Sequence, residues 1–212
     1  MVEPVETEPA PVVEPVETEP VETPVRRLTD EHLDAVLIGG REQRAIEVVD
    51  YRDEWPGTFG EWAATVRAAV GPLALAVEHI GSTSVPGLAA KPIIDMLLVV
   101  PDVAAESDYL PALEAAGLVL RVREPNHRMV RTPERDVHLH IYSAGAPEIT
   151  DYLDLRDWLR ASAEDRELYA SIKKELAARE WPDMNYYAEA KDDVVATVLA
   201  HARQWRAAGS PA

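Results

Sequence analysis

The chain has 212 residues, enough for one domain with a well-buried core, and it contains no cysteine. Disulfides, cysteine-based zinc sites and thiol nucleophiles are therefore excluded, and no apolar run approaches the roughly 20 residues needed to cross a bilayer. The net charge of −17 opposes binding to an extended phosphate backbone, and the acidic N-terminus does not resemble a secretion signal. We therefore expect a cytoplasmic protein that binds neither membranes nor extended nucleic acid.

Residues 1–25 form an acidic, proline-rich segment with seven glutamates, six prolines and no lysine or arginine. The sequence EPVETEP occurs twice in it, at Glu3–Pro9 and at Glu14–Pro20. Proline disfavours helix and the glutamates provide nothing to bury, so this segment is predicted to be a disordered, extended tail. Three roles fit such a tail: it solubilises the protein and is dispensable, it docks onto a partner, or it serves as a spacer.

Behind the tail, we predict a short helical lead-in over residues 26–44 and a single domain over residues 45–206. Thr29 is a suitable N-cap for a helix that runs to about Ile38. The pair Gly39–Gly40 follows, and glycine is the residue that most often ends a helix. The lead-in is therefore predicted to contain one helix.

The first part of the domain is predicted to alternate between strands and helices. The β-branched residues of Ile46–Tyr51 predict a strand, and Trp55–Pro56–Gly57 predicts a turn before an amphipathic helix at Phe59–Val70. Two further strands are predicted at Leu73–Ile80 and Pro92–Val100. The second of these is almost wholly apolar, which is typical of a strand buried on both faces. We expect it at the centre of the sheet, beside the first.

The second part of the domain begins with a predicted helix at Ser107–Ala116. Three consecutive strands are predicted next, at Leu118–Arg123, Arg128–Thr132 and Asp136–Tyr142. From about Pro147 the apolar residues recur at helical spacing, which predicts about three more helices. The predicted fold class is α+β, with a mixed β-sheet, helices packed on it and a C-terminal helical subdomain.

The segment His79–Val100, HIGSTSVPGLAAKPIIDMLLVV, contains the residues that most strongly predict chemistry. Gly81 lets a ligand approach the backbone, while Ser82 and Ser84 add hydroxyl groups beside N–H groups that can bind an anion. Asp95 is the one charge in an apolar strand, and a buried carboxylate needs a metal, a cation or hydrogen-bond donors. This pattern predicts a phosphate site with a metal beside it. An ordinary turn and a structural salt bridge are the alternatives.

Two histidines belong to the predicted strand at Asp136–Tyr142. His138 and His140 share one face of that strand with its terminal tyrosine, because side chains alternate along a strand. They can hold a metal together with Asp95, or act as a general base and a phosphate donor. A polar, solvent-facing pair is the alternative.

Candidate phosphate-binding cations come from two places in the chain. Residues 121–140 contain five arginines, of which Arg128 and Arg131 are the candidates. Lys191 continues a helical stripe with Tyr187 and Val195, and a lysine on an inward-facing stripe needs an anion. Solvent-exposed positions for these cations are the alternative.

The Gly–Ser turn followed by a strand carboxylate resembles the signature of the nucleotidyltransferase superfamily. The run HIGSTSVPGLAAKPIID is also similar to the GrpB-like family, as are four other stretches: VDYRDEWP, REPNHRMVRTPERDVHLHIY, LRDWLR and WPDMNYYAEAKDD. The resemblance extends over about residues 46–203. It implies a nucleotidyltransferase-like mixed sheet with packed helices and a C-terminal helical subdomain.

The resemblance also implies a function: metal-dependent nucleotidyl or phosphoryl transfer, with Mg²⁺ or Mn²⁺ as cofactor and a nucleotide or other phosphorylated small molecule as ligand. The predicted catalytic residues are Asp95, His138 and His140, with Asp95 and His140 as metal ligands. The predicted nucleotide- or phosphate-binding residues are Gly81, Ser82, Ser84, Arg128, Arg131 and Lys191. Leu97 occupies the position of the superfamily's second carboxylate, which argues against a two-metal mechanism. Family members are also fused to dephospho-coenzyme A kinase, so a non-catalytic nucleotide-binding or folding accessory domain is the alternative.

Overall fold

The computed structural model describes residues 28–209, so the predicted tail lies outside the described residues. Its strands are β1 (Ala76–Ile80), β2 (Ile94–Val100), β3 (Val119–Glu124), β4 (His127–Arg131) and β5 (Val137–Ser143). They form one mixed sheet in the order β1-β2-β5-β4-β3, in which β2 and β5 are parallel and the other three pairs are antiparallel. As predicted, β2 lies beside β1, although β5 rather than β2 takes the middle of the sheet.

The helices within residues 28–209 are α1 (Asp30–Val36), α2 (Trp55–Val70), α3 (Glu106–Ala115), α4 (Pro147–Ala161), α5 (Ala163–Ala177), α6 (Met184–Glu189) and α7 (Asp192–Ala207). Helices α2 and α3 cover one face of the sheet, while α4 packs against the other. Helices α4, α5 and α7 share a separate apolar cluster, which is the core of the helical subdomain. This architecture confirms the predicted α+β class. None of these helices is both long and apolar enough to span a membrane.

Strand β5 explains why the two faces of the sheet differ. Val137, Leu139 and Ile141 are buried in the main hydrophobic core with α2 and α3. The alternate residues His138 and His140 line a cavity on the opposite face, because successive side chains of a strand point to opposite sides. The predicted split of this strand into an apolar and a polar face is confirmed.

The predicted turn at residues 55–57 is wrong, since helix α2 already begins at Trp55. Pro56 lies in the first helical turn, where its missing N–H costs nothing because that N–H has no intrahelical partner. Strand β1 begins later than predicted, at Ala76, because Gly71–Leu73 forms a 3-10 turn.

The predicted strand at Ile46–Tyr51 is also wrong. Only Val49 finds a partner, and it exchanges two backbone hydrogen bonds of 2.9 Å with Ala90 as an isolated bridge. The β-branched residues favour an extended backbone, but a strand also requires a neighbouring edge along its whole length.

From Pro147 to residue 209, the end of the described residues, there are four helices where about three were predicted. The additional one is the short helix α6, whose N-cap Asp183 accepts a hydrogen bond of 2.8 Å from the backbone N–H of Asn185. At the other end of the chain, Thr29 caps α1 as predicted, because its side chain accepts from the N–H of His32.

Candidate functional site

A cavity of about 380 Å³ lies between the polar face of the sheet and the C-terminal helices. This volume is within the range of small-molecule binding sites. The sheet and the loop after β1 contribute Gly81, Ser82, Asp95, His138 and His140. The helices and the loop before β2 contribute Tyr152, Tyr169, Lys173, Lys191 and Lys91. The structure therefore brings together most of the residues that the sequence predicted as a site.

Gly81 follows β1 and has a φ of +67°, in the region that favours glycine. A Cβ at this position would lie 2.5 Å from Oδ2 of Asp95 and 2.8 Å from its Cβ. Because the Cβ of Asp95 is fixed to the backbone of β2, rotating a side chain cannot relieve that contact. Gly81 is thus needed so that Asp95 can pack against the loop, a different reason from the predicted approach of a ligand.

The two loop serines have different surroundings. Ser82 lines the cavity, and its Oγ accepts a hydrogen bond of 2.9 Å from the ammonium group of Lys173. Ser84 is buried outside the cavity lining, and its Oγ donates to the carbonyl of Gly81 at 2.6 Å. Its own carbonyl accepts two hydrogen bonds from Arg160. Ser84 therefore stabilises the turn, which corrects its predicted place at the ligand.

Asp95 and His138 lie opposite each other in the register of β2 and β5. The Nδ1 of His138 is 3.6 Å from Oδ1 of Asp95. Burial raises the pKa of the Asp95 carboxyl, but the contact with His138 and the charge of Lys91 outweigh it, so the pKa lies below its usual value. The floor of the cavity therefore carries a negative charge at neutral pH.

His140 also lines the cavity and is half-buried. Burial, followed by the proximity of His127, lowers the pKa of His140 to about 3. Its Nδ1 lies 3.1 Å from Nε2 of His127, a residue that does not line the cavity. At neutral pH the His140 ring is therefore uncharged.

Three lysines give the cavity its positive charge. Burial and the neighbouring lysines lower the pKa of Lys173 to about 7 and that of Lys91 to about 8. Burial also lowers the pKa of Lys191, which was the one lysine predicted from the sequence. The ammonium groups of Lys91 and Lys191 lie 5.2 and 4.9 Å from the ring centroid of Tyr187.

None of these three ammonium groups lies within 4.0 Å of a carboxylate oxygen in the described part of the chain. Lys173 instead donates to Ser82 and to the carbonyl of Ala89, and its Nζ lies 4.7 Å from the ring centroid of Tyr169. Partial charges and aromatic rings stabilise a buried cation less than a carboxylate does. The cavity is therefore suited to an anionic ligand.

Lys173 was missed because it precedes Lys174 in a charged stretch that is typical of an exposed helix face. The spacing of its neighbours along the helix nevertheless indicates that Lys173 faces inward. Lys173 lies four residues after Tyr169 and three residues before Leu176. All three side chains are buried on one face of α5. A lysine between two residues of an inward stripe is a candidate for a buried cation.

The arginine predictions are wrong in position. Arg128 pairs with Glu106, and Arg131 pairs with Glu42 at 2.6 Å. Neither side chain lines the cavity. Both belong to β4, on the far side of β5 from β2, and each already has a carboxylate partner.

The donor set does not fit a two-metal centre. Leu97 occupies the inward position after Asp95 and is buried in an apolar cluster with Ile80 and Val99. Within residues 28–209, no group of three or more histidine, aspartate or glutamate side chains is arranged to hold a metal. Mg²⁺ prefers several oxygen ligands, whereas here Asp95 faces a histidine and three lysines.

A mixed sheet with a Gly–Ser turn after one strand and a carboxylate on the next defines a nucleotidyltransferase-like fold. The GLD-2/RNP-8 complex shares this fold with a TM-score of 0.50. The match is 14% identical and covers 71% of this chain and 60% of that one, so it concerns the fold alone.

The chain belongs to the GrpB family, because the family described as GrpB protein matches residues 45–201. The crystal structure of GrpB from Enterococcus faecalis matches with a TM-score of 0.67 and 32% identity, over 75% of this chain and 99% of that one. A UPF0157 protein of Streptomyces coelicolor is 51% identical over 166 residues, which are 78% of this chain and 89% of the relative. The resemblance predicted from the motifs is confirmed.

A larger protein also contains a similar region. The dephospho-CoA kinase of Mycolicibacterium paratuberculosis is 26% identical over 189 residues. The match covers 76% of this chain but only 46% of the kinase.

Proposed function

We propose that this protein binds a phosphorylated small molecule, with a nucleotide as the expected ligand, in the cavity between the sheet and the C-terminal helices. The observation that carries the proposal is a group of three lysines that line the cavity, Lys173 buried and Lys91 and Lys191 half-buried, without a carboxylate partner among the described residues. Coulomb attraction is strong in a site of low dielectric, so a multiply charged anion is the ligand that compensates these charges best. The net charge of −17 still opposes an extended nucleic acid.

The arrangement of the site suggests how phosphates would be held. Ser82 and Lys173 lie together at the loop after β1, and Lys91 and Lys191 converge on Tyr187. A phosphate oxygen beside Lys173 would raise the pKa of its ammonium group again, because a neighbouring negative charge favours the charged form. Binding should therefore take up protons near neutral pH.

Nucleotidyl or phosphoryl transfer is the more specific form of the proposal. Here His138 would be oriented by Asp95, while the lysines would hold the phosphates. No step is assigned to a metal, because the donor set does not fit a metal pair. The burial of Leu97 favours the second candidate, a nucleotide-binding accessory domain, and the match to part of a dephospho-CoA kinase supports it.

Titration calorimetry with ATP, ADP, AMP and pyrophosphate tests the binding proposal. Each ligand is measured in EDTA, in Mg²⁺ and in Mn²⁺. We expect binding that persists in EDTA and becomes about 10- to 100-fold weaker in Lys173→Met, since a hydrogen bond to a charged group is lost. The control Arg128→Gln removes a cation outside the cavity and should change the affinity by less than about twofold. Absence of binding by every ligand would refute the proposal.

Asp95→Asn separates the two candidates, because it removes a charge while keeping the shape of the side chain. If Asp95 takes part in transfer by orienting His138, the variant loses any turnover of ATP. If the domain is an accessory module, the variant binds ATP as well as or better than the wild type, because a negative charge beside the phosphates has been removed.

A further inference from the structure

A row of hydrogen-bonded side chains leads from α1 to the floor of the cavity. The Oε1 of Glu124 lies 3.2 Å from Nε2 of His32 on α1, and its Oε2 lies 2.8 Å from Nδ1 of His127. The Nε2 of His127 lies 3.1 Å from Nδ1 of His140, which lines the cavity. The proposed binding of an anion by the three cavity lysines does not involve Glu124 or His127.

The two imidazole rings are placed for a hydrogen bond within their planes. The ring planes of His127 and His140 differ by 8°, and the centroids are 5.2 Å apart. This separation fits rings that meet edge to edge, so an N–H of one ring can point at the nitrogen lone pair of the other. The ring of Tyr142 stacks on His127 at a centroid distance of 4.7 Å and limits its rotation.

The acid at the start of this row determines which nitrogens carry protons. The contact with His127 lowers the pKa of the Glu124 carboxyl, so Glu124 only accepts hydrogen bonds at neutral pH. An uncharged His127 ring that faces this carboxylate carries its proton on Nδ1, so its Nε2 accepts a hydrogen bond. His140 then donates from Nδ1, and its Nε2 carries a free lone pair.

We propose that Glu124 and His127 are positioning residues that fix His140 as a hydrogen-bond acceptor in the cavity. The ligand would then combine an anionic group, held by the lysines, with an O–H or N–H donor directed at Nε2 of His140. Phosphorylated compounds with a free hydroxyl group, such as nucleotides with a ribose hydroxyl, belong to this class. The choice of ligand rests on the proposed function, whereas the protonation pattern of His140 does not.

The same row allows a proton to leave the cavity without placing a charge on the half-buried His140. When a ligand hydroxyl loses its proton, the O–H bond breaks and an N–H bond forms at Nε2 of His140. The Nδ1–H bond of His140 then breaks, and the proton binds to Nε2 of His127. The resulting imidazolium lies beside the carboxylate of Glu124, while Asp95, His138 and Tyr152 are the other titratable groups at this end of the cavity.

NMR of the histidine ring nitrogens in the full ¹⁵N-labelled chain tests the inference without any ligand. At pH 7.5 we expect His140 to show a protonated Nδ1 and an unprotonated Nε2, with its signals assigned from their loss in His140→Asn. His127→Phe keeps an aromatic ring against Tyr142 but removes the acceptor, so the Nε2 signal of His140 should move toward the protonated range. A wild-type His140 with its proton on Nε2, or a pattern unchanged in His127→Phe, would overturn the inference.

Glu124→Gln provides a second variant that keeps the size of the side chain. An amide can donate to Nδ1 of His127 as well as accept from it, so we expect a mixture of both protonation patterns at His140. The control His201→Gln removes a histidine that pairs with Asp165 outside the row and should leave the His140 signals unchanged.

Binding of two probes tests the ligand class. ATP carries hydroxyl donors, whereas inorganic tripolyphosphate has only the anionic part. In His127→Phe we expect ATP affinity to fall about threefold to tenfold, as for the loss of one hydrogen bond, while tripolyphosphate affinity stays within about twofold. Equal losses for both probes would refute the donor assignment. If neither probe binds to the wild type, the proposed function fails, and the NMR result alone decides the role of Glu124 and His127.

Discussion

The two faces of β5 serve opposite purposes although they alternate residue by residue. On one face Leu139 is fully buried in the main core, in one cluster with residues of α2 and α3. On the other, His138 and His140 line the cavity and are covered by the C-terminal helices. The apolar face needs only volume and hydrophobicity, which many residues supply. The polar face needs particular side chains in particular hydrogen bonds.

The alternation of side chains along β5 therefore places core residues on one face of the strand and residues of the candidate site on the other. A substitution on the core face should act on folding, and a substitution on the cavity face should act on the proposed ligand binding. The loop after β1 is where the two requirements meet, because Gly81 must accommodate the carboxylate of Asp95.

The largest effect is expected from neighbouring substitutions on β5. Leu139→Ala should lower the free energy of unfolding by about 2–5 kcal/mol, because it removes buried methyl groups and leaves a cavity. His138→Ala should lower it by about 1 kcal/mol or less, because its contact with Asp95 is partly exposed. Urea denaturation followed by circular dichroism measures both values. If both variants lose the same free energy of unfolding, the polar face contributes as much to stability as the apolar face.

A smaller effect is expected at Gly81. Gly81→Ala places a Cβ against Asp95 in a backbone conformation with φ of +67°, so it should cost about 1–3 kcal/mol more than the control. The control is Gly87→Ala, which shares the backbone strain at φ of +79° but has no atom within 4 Å of the new Cβ. The difference between the two variants in thermal or urea unfolding isolates the contact with Asp95. No difference would mean that Asp95 can move away.

The smallest effect concerns the pH dependence of stability through Lys173. Its pKa is about 7 in the folded protein and near 10.5 in the unfolded chain, so the unfolded state binds more protons between these values. The free energy of unfolding should therefore rise as pH increases from 7 to 9, by up to about 2 kcal/mol from this residue. In Lys173→Met that contribution disappears, and the remaining rise comes from Lys91 and Lys191. The free energy of unfolding of both proteins is measured in urea at each pH. If it rises by the same amount in the wild type and in Lys173→Met, the rise does not come from Lys173.

The sequence predicted the parts of the candidate site that follow from local geometry. The loop of Gly81 and Ser82 and the carboxylate of Asp95 belong to adjacent elements, and alternation along β5 placed His138 and His140 on one face. These predictions depend on local geometry, in which strand period and turn chemistry are fixed by neighbouring residues. The assignment of the chain to the GrpB family rested on the same motifs.

Predictions that required distant partners were less accurate. Arg128 and Arg131 have the charge that a phosphate site needs, but their salt bridges to Glu106 and Glu42 were not visible in the sequence. Ile46–Tyr51 has the composition of a strand, but only Val49 meets another segment. Charge and propensity are properties of a residue, whereas a partner is a property of the fold.

By itself, the sequence determined the order of the elements from α2 to β5, the split of β5 into two faces, and the glycine and carboxylate that meet at the loop. The tertiary structure alone decided that Lys173, from a helix about 90 residues further along the chain, reaches Ser82. It also decided that His127 contacts His140 and that Glu124 contacts His127. The physical reason is that periodicity fixes which way a side chain points relative to its own element, while the packing of elements determines what that side chain meets.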